Sequence, residues 1–316
     1  MTLQEMIFRL NDYWASQGCA ILQPYDTEVG AGTKHPATLL KSLGPEAWNV
    51  AYIQPSRRPA DGRYTRNPQR SQRYYQYQVI MKPSPTDIVD RYIGSLDALG
   101  FDTSKNDVRF VEDDWEDQAA GASGVGWEVW VNGTEVTQFT FFQQVGGIEC
   151  NPVAAEITYG PERLCLMLSN QNSFWTDLQW NETTSYREVN WELEMQNNVY
   201  NFEVASTDAL FKLFDVFESE SKRVIETPVF WDAEQGIMTS NPMTGGTDFP
   251  PEAGARALVY PALDLALKCS HVFNVLDARG AVGVTERAAY INRIRGRVRA
   301  CCLKHVEQYK VAAKAS

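Results

Sequence analysis

The stretch AYIQPSRRPADGRYTRNPQRSQRYYQYQVI, residues 51–80, decides the fold. It opens on a β-type run, passes through a polar arginine-rich loop and returns as a second run of aromatic and β-branched residues, so Asn49–Gln54 and Arg73–Lys82 are expected as strands. Between Arg57 and Arg73 six arginines (Arg57, Arg58, Arg63, Arg66, Arg70 and Arg73) stand against one acid, Asp61. Two strands bracketing such a loop set several guanidinium forks over one end of a sheet, and those forks suit bidentate contact with phosphate oxygens. A triphosphate is a natural ligand; a solvated basic loop is the alternative. In the return strand Gln76 and Gln78 share a face, because side chains alternate. Were that face core, each unsatisfied amide would cost roughly 1 to 3 kcal/mol. A ligand pocket on that face removes the difficulty.

Outward from this segment the pattern stays β-like to about residue 160. Asp107–Val111, Gly126–Val131, Glu135–Gln144 and Ala155–Tyr159 read as further strands. Asn132-Gly133, set between two alternating runs, is a strong two-residue hairpin signal because a type I′ turn needs positive φ at both central positions. Strands joined this locally favour an antiparallel sheet. Helices are expected over residues 3–17, where Leu3, Met6, Ile7, Leu10, Tyr13 and Trp14 recur with helical spacing, over Pro36–Leu43, over Thr86–Leu99, and from Gly160-Pro161-Glu162 onward. The polar stretch Ser169–Asn190 marks a domain boundary, giving a catalytic unit at 1–170 and a helical one at 171–316. In the latter, Glu192 to about Glu220, Ala255–Ala278 and a segment after Thr285 read as helices.

Bulk properties narrow the functional classes. With 44% hydrophobic and 22% charged residues the chain is an ordinary folded protein. No window reaches the roughly 18 apolar residues of a membrane span, and the start, MTLQEMIFRLNDYWASQG, lacks a basic then apolar leader, so the cytoplasm is the expected compartment. Six cysteines form no CxxC pair and three histidines lie far apart, which disfavours structural zinc. The net charge of −11 argues against a chain that holds nucleic acid by itself. The basic residues Arg293–Arg299 read as a solvated helix face, with contact to an RNA end as the alternative.

A second constellation is Glu156-Ile-Thr158-Tyr-Gly160-Pro-Glu162-Arg163. A strand with Glu156 and Thr158 on one face runs into a helix whose first turn carries Arg163. A carboxylate suits a substrate ammonium and an arginine at that turn suits phosphates; an exposed edge strand with a surface ion pair is the bland reading. A third, Glu112-Asp113-Asp114-Trp115-Glu116, reads as a solvated turn, with a metal or sugar site as the alternative. Neither GxxxxGK[ST] nor GxGxxG occurs, which excludes P-loop and dinucleotide-fold chemistry.

In this order these residues resemble class II aminoacyl-tRNA synthetases. Gly44-Pro45 looks like motif 1, Arg57 through Gln78 like the motif 2 strand-loop-strand, and Gly160-Pro-Glu162-Arg163 like the end of motif 3. The strings QGCAILQPYDTEVGAGTKHPAT (17–38), AYIQPSRRPADGRY (51–64), RFVEDDWE (109–116), EVTQFTFFQQVGGIEC (135–150) and VFNVLDARGAVGVTERAAYI (272–291) together resemble the α subunit of tetrameric glycyl-tRNA synthetases, over nearly the whole chain.

The resemblance implies an α+β fold: a class II antiparallel sheet flanked by helices, followed by a C-terminal helical domain. It implies a glycine-tRNA ligase that forms glycyl-adenylate from glycine and Mg²⁺-ATP. It also implies an α2β2 assembly with an α–α homodimer, in which the β subunit supplies most of the tRNA-Gly binding. Carried over, Arg57 or Arg58 is the arginine on the ATP α-phosphate and Arg163 the one near the γ-phosphate, with Arg57 and Arg163 the catalytic pair. Tyr74 or a residue elsewhere stacks on adenine. Glu135 serves ATP and Mg²⁺. Glu156 takes the glycine ammonium, while Gln76, Gln78, Trp115, Gln138 and Thr158 close the glycine pocket. The usual motif 2 Arg-x-Glu is absent, which leaves the choice between Arg57 and Arg58 open. A non-catalytic class II paralogue, a carbohydrate-active protein and a structural partner of an RNA-binding protein are the competing readings.

Overall fold

The computed structural model describes residues 1–232, 237–239 and 254–315. Helix α1 (Leu3–Ser16) starts at Thr2, whose hydroxyl accepts from the Glu5 amide, and buries Leu3, Met6, Leu10 and Trp14. This is the stripe expected of an amphipathic helix. Then follow β1 (Ala20–Ile21), α2 (Pro36–Leu39), β2 (Trp48–Arg57), β3 (Arg73–Lys82), α3 (Ile88–Ala98), β4 (Val108–Asp117), β5 (Ala122–Val131), β6 (Thr134–Val145), β7 (Ile148–Glu149), β8 (Ala155–Tyr159) and α4 (Pro161–Leu168). Beyond these lie α5 (Tyr186–Val199), α6 (Thr207–Glu226), the short strands β9 (Pro228–Asp232), β10 (Ile237–Thr239) and β11 (Gly254–Ala257), then α7 (Val259–Ala278) and α8 (Val284–Ala315).

The main sheet runs β1-β2-β3-β8-β6-β5-β4, with β7 on β6. Only β1 with β2 is parallel; the other pairs are antiparallel. Asn132 and Gly133 take φ of 49° and 82° at the β5–β6 turn, the left-handed pair that the hairpin reading requires. One face of the sheet packs Ala51, Tyr77, Val79, Phe139, Ile157 and Tyr159 against α1, α3 and α4. On the other face Val50, Ile80 and Phe142 join one apolar cluster with Phe214, Leu263, Leu267, Leu276 and Val298 of α6, α7 and α8. The sheet is therefore covered on both sides, as an α+β fold requires, except where the second face turns polar toward the ends of β3 and β8.

Four expectations are corrected. The acidic run at 112–116 is no turn: it lies within β4, which ends one edge of the sheet, and alternation sends Glu112, Asp114 and Glu116 to one side and Asp113 and Trp115 to the other. The helix expected over 192–220 is two helices separated by a π turn, Tyr200–Val204. Arg279 from the end of α7 holds that turn, donating from Nη1 to Phe202 O at 2.7 Å and from Nε to Ala205 O at 3.3 Å. Residues 254–257 are strand, so α7 begins at Val259. Finally, arginines of α8 clasp their own chain. Arg293 donates to Glu218 and Asp215, Arg295 to Gln118 O at 2.6 Å, and Arg299 to Gly146 O and Gly147 O at the β6–β7 turn.

The segment expected as a boundary, 169–190, buries Phe174, Trp175, Leu178 and Tyr186 in the cluster beneath the first face. Near the start of β2, Lys82 points its ammonium at three carbonyls that end the α2 region, Lys41 O at 2.5 Å, Leu43 O at 2.8 Å and Gly44 O at 3.0 Å.

Candidate active site

Strand register places a polar field on the second face of the sheet. Because residues paired across a ladder point the same way, Ser56 lines up with Tyr74, Gln54 with Gln76, and Tyr52 with Gln78. The rows continue from Gln78 to Thr158 and Gln138, and from Ile80 to Glu156 and Thr140. Tyr77 takes the opposite parity and packs 6.1 Å from Tyr159 in the core beneath.

Where β3 and β8 end, a cavity of about 300 Å³ opens over this field, within the size of small-molecule sites. The cavity is lined by Arg58, Asp61 and Arg70 of the arginine loop, by Tyr74, Gln76, Gln138 and Thr158 of the polar field, and by Glu135, Glu162 and Arg163. Thus Arg58, Tyr74, Gln76, Glu135, Gln138, Thr158 and Arg163 meet in one place. The Arg58 guanidinium sits 5.3 Å over the Tyr74 ring, a cation–π distance, while its Nε donates to Gly30 O at 2.9 Å. Burial pushes the Tyr74 hydroxyl up to about 12, and this buried oxygen has no hydrogen-bond partner. Arg163 Nη1 donates to Glu135 Oε2 at 3.2 Å and to Glu135 O at 3.3 Å, so an arginine on α4 is steered by β6. With Gly160 and Pro161 setting the helix start, Arg163 leaves the first turn toward the cavity.

Four of the expected residues lie outside that lining. Arg57 pairs with Arg73 at the strand ends and falls on the alternate parity. Burial lowers its pKa against the pull of Glu28. Trp115 packs 5.7 Å from Phe142, the two rings tilted by 51°. Gln78 and Glu156 lie on the same face but deeper along the sheet, under the loop that carries Gly32 and Thr33. A Cβ on Gly32 would stand 2.4 Å from Gln78 Cγ, so only glycine lets the loop sit there. Gly32 N donates to Gln76 Oε1 at 2.8 Å.

Glu156 is 1% exposed. Burial raises its carboxyl to about 8, and the Thr33 hydroxyl at 2.6 Å works against that rise. Beside it, Thr158 Oγ1 donates to Gln78 Oε1 at 2.6 Å. Gln78 Nε2 and Thr140 Oγ1 are buried without a hydrogen-bond partner. A carboxyl flanked by unmatched polar atoms in an otherwise closed interior is where a small zwitterion would find partners.

Sequence reasoning missed Thr33, which had no motif to mark it, and Glu162. The Glu162 carboxyl accepts from the Tyr75 amide at 2.8 Å and from the Tyr186 hydroxyl at 3.3 Å. Burial raises it to about 7. It pins the start of β3 rather than facing substrate. Among the described residues no group of three or more His, Cys, Asp or Glu is arranged to hold a metal ion, and no described helix is long and apolar enough to cross a membrane.

Two solved structures to which the chain is similar are pyrrolysyl-tRNA synthetases from Desulfitobacterium hafniense. The first, named PylSc, matches at 12% identity over 58% of this chain and 75% of that one, with a TM-score of 0.41. The second matches at 12% identity over 58% and 76%, with a TM-score of 0.40. The model of the family described as glycyl-tRNA synthetase alpha subunit matches residues 3–244 and 251–310. With the sheet, the arginine loop and the Glu156–Arg163 strand–helix unit in place, that match over nearly the whole chain means that this protein belongs to the glycyl-tRNA synthetase alpha subunit family of aminoacyl-tRNA ligases.

Proposed function

We propose that this chain activates glycine with Mg²⁺-ATP to glycyl-adenylate in the cavity between the arginine loop and α4. With a β subunit, in an α2β2 assembly built on an α–α homodimer, it then passes glycine to the 3′ end of tRNA-Gly. The observation that carries this reading is that Arg58 and Arg163 line one cavity, beyond which the polar face of β3 and β8 continues to the buried Glu156.

Arg58 and Arg163 provide cationic walls for a triphosphate, and the Tyr74 ring with its unpartnered hydroxyl suits a nucleobase. Of the two adjacent arginines Arg58 lines the cavity and Arg57 does not, which supports reading Arg58 as the α-phosphate arginine. Glycine's ammonium is assigned to Glu156 in its ionised form, with Thr33, Gln78 and Thr158 around it, so its carboxylate points back along that polar face toward the phosphates. A glycine carboxylate oxygen bonds to the α-phosphorus as the bond to the pyrophosphate oxygen breaks. No protein nucleophile is needed; the residues position the partners and stabilise the charge that builds on phosphorus oxygens. Glu135, which lines the cavity beside Arg163, is the carboxylate that would hold Mg²⁺, an ion that takes one or two protein carboxylates and fills its shell with phosphate oxygens and water. When bound, Mg²⁺ neutralises phosphate charge and orients the leaving pyrophosphate.

Selectivity follows from depth. Glu156 lies two residues before Thr158 on the same face of β8, buried against the Gly32 loop, so amino acids with a side chain past the α-carbon are expected to be excluded. ATP–pyrophosphate exchange on the chain, alone and co-expressed with a β subunit, tests the reading. Exchange that depends on glycine and ignores alanine and serine supports it; no exchange under either condition moves the protein to the non-catalytic paralogues.

A further inference from the structure

The buried stripe of α5 is unusual for a helix. Its four buried residues, Tyr186, Asn190, Glu194 and Asn198, recur every four positions, yet three of the four are polar. Such a stripe cannot be an apolar seam, and asparagine is a poor helix former. What covers it is the arginine loop, whose two limbs it grips through the pair Glu194 and Asn198.

On the outgoing limb, Asn198 Oδ1 accepts from the Tyr64 amide at 3.3 Å. On the return limb, Glu194 Oε1 accepts from the Gln72 amide at 2.8 Å. The two side chains are tied together, with Asn198 Nδ2 donating to Glu194 Oε1 at 2.8 Å. Loop and helix are flush: a Cβ on Gly62 would stand 2.1 Å from Asn198 Oδ1. Tyr64 and Thr65 also have φ of 50° and 57°. Left-handed backbone at a bulky and then a β-branched residue costs roughly 1 to 3 kcal/mol each and persists only where surroundings impose it. Here the imposing group is Asn198.

We propose that Asn198 and Glu194 are positioning residues for adenylate formation, holding the arginine loop in the conformation that presents Arg58 and Arg70 to the triphosphate. The π turn that follows α5, fastened by Arg279, keeps the stripe in register with the loop. This inference rests on the reading of the cavity as an ATP site. It predicts that loss of the grip weakens ATP far more than glycine, because the pair meets the chain at Gln72 and Arg73, where β3 begins, while the glycine side lies further along β3, on β8 and on the Gly32 loop.

The test takes the full chain with a co-expressed β subunit and compares wild type, Asn198→Ala and Gly62→Ala. The last forces loop and helix apart by a change made in the loop, where the new methyl would meet Asn198 Oδ1. In glycine-dependent exchange, each variant is expected to raise the ATP KM by about fivefold or more, the worth of one lost hydrogen bond. The glycine KM should stay within about twofold. The double variant should cost less than the two singles together, since removing the Asn198 side chain relieves the clash. In hydrogen exchange on the free protein, the Tyr64 and Gln72 amides should lose protection in Asn198→Ala while amides of α1 keep theirs. Unchanged ATP KM, or ATP and glycine KM rising in step, overturns the positioning role. A wild-type chain with no exchange activity overturns the functional reading instead, and amide protection then decides the grip by itself: retained protection in Asn198→Ala would sink it.

Discussion

Thr33 Oγ1 donates to Glu156 Oε1 across 2.6 Å, joining the loop before α2 to the deepest carboxyl of the polar field. Burial favours the neutral form of that carboxyl while the Thr33 hydroxyl opposes it, and most of the predictions below start from that tension.

Glycine affinity should depend on pH through Glu156. Its carboxyl titrates at about 8, so the ionised form is a minority at pH 7, and apparent affinity falls with that fraction. The glycine KM of the wild type is expected to drop by up to about 25-fold between pH 6.5 and 8.5. Glu156→Gln should raise the glycine KM strongly and flatten this profile. A variant with wild-type glycine KM at pH 8.5 would remove Glu156 from the site.

The same group sets a stability trend. Because the folded pKa is raised above the ordinary carboxyl value, the folded state holds the proton more tightly. The resulting stabilisation is complete below about pH 4.5 and is lost as pH rises through about 8. Thermal unfolding of wild type and Glu156→Gln should therefore diverge. Relative to the variant, the wild type should lose stability from pH 5 to pH 9, by a few kcal/mol at most; parallel curves would contradict it.

Arg163→Ala should abolish detectable exchange, a loss on the order of a hundredfold to a thousandfold in kcat. The side chain is 35% exposed and pairs only with Glu135 at the cavity wall, so Tm should move little. Near-normal exchange would sink the assignment of Arg163 to the triphosphate.

Gly32→Ala should act on glycine without acting on ATP. The new methyl would collide with Gln78 Cγ at 2.4 Å, forcing the loop outward and taking Thr33 away from Glu156. The glycine KM is expected to rise several-fold, and stability to fall by about 1 to 3 kcal/mol. An unchanged glycine KM would show that the loop is no part of the pocket.

Lys82→Met tests the fold rather than the chemistry. It leaves three buried carbonyls without the ammonium they share, and should lower unfolding free energy in urea by about 3 kcal/mol. A loss below about 1 kcal/mol would mean that water replaces the ammonium.

Much of this was legible in the residues. Strands β3 and β8 run from Arg73 to Lys82 and from Ala155 to Tyr159 as expected, since proline and glycine punctuate them and alternation is clean. The same alternation put Gln76, Gln78 and Tyr74 on one face and Tyr77 on the other. What could not be read was which of two neighbouring arginines lines the cavity, because a one-residue step reverses the face. Nor could local pattern announce partners far along the chain: Thr33 lies 123 positions from Glu156, and Asn198 134 positions from Tyr64. The acids of β4 misled because their charge outweighs an alternation that only an edge strand tolerates. The strands β9 and β10 were missed because three to five residues give too little period to recognise.

The clasp of α8 on the sheet carries a consequence for how the chain is made. Arg295 bonds Gln118 O across 177 positions, and Arg299 bonds the Gly146–Gly147 turn across some 150. During synthesis the strands β4 to β7 emerge long before the helix that fastens them. The apolar side of Phe142 thus stays open to water, or to a chaperone, until α6, α7 and α8, which together close it, have followed the strands out of the ribosome.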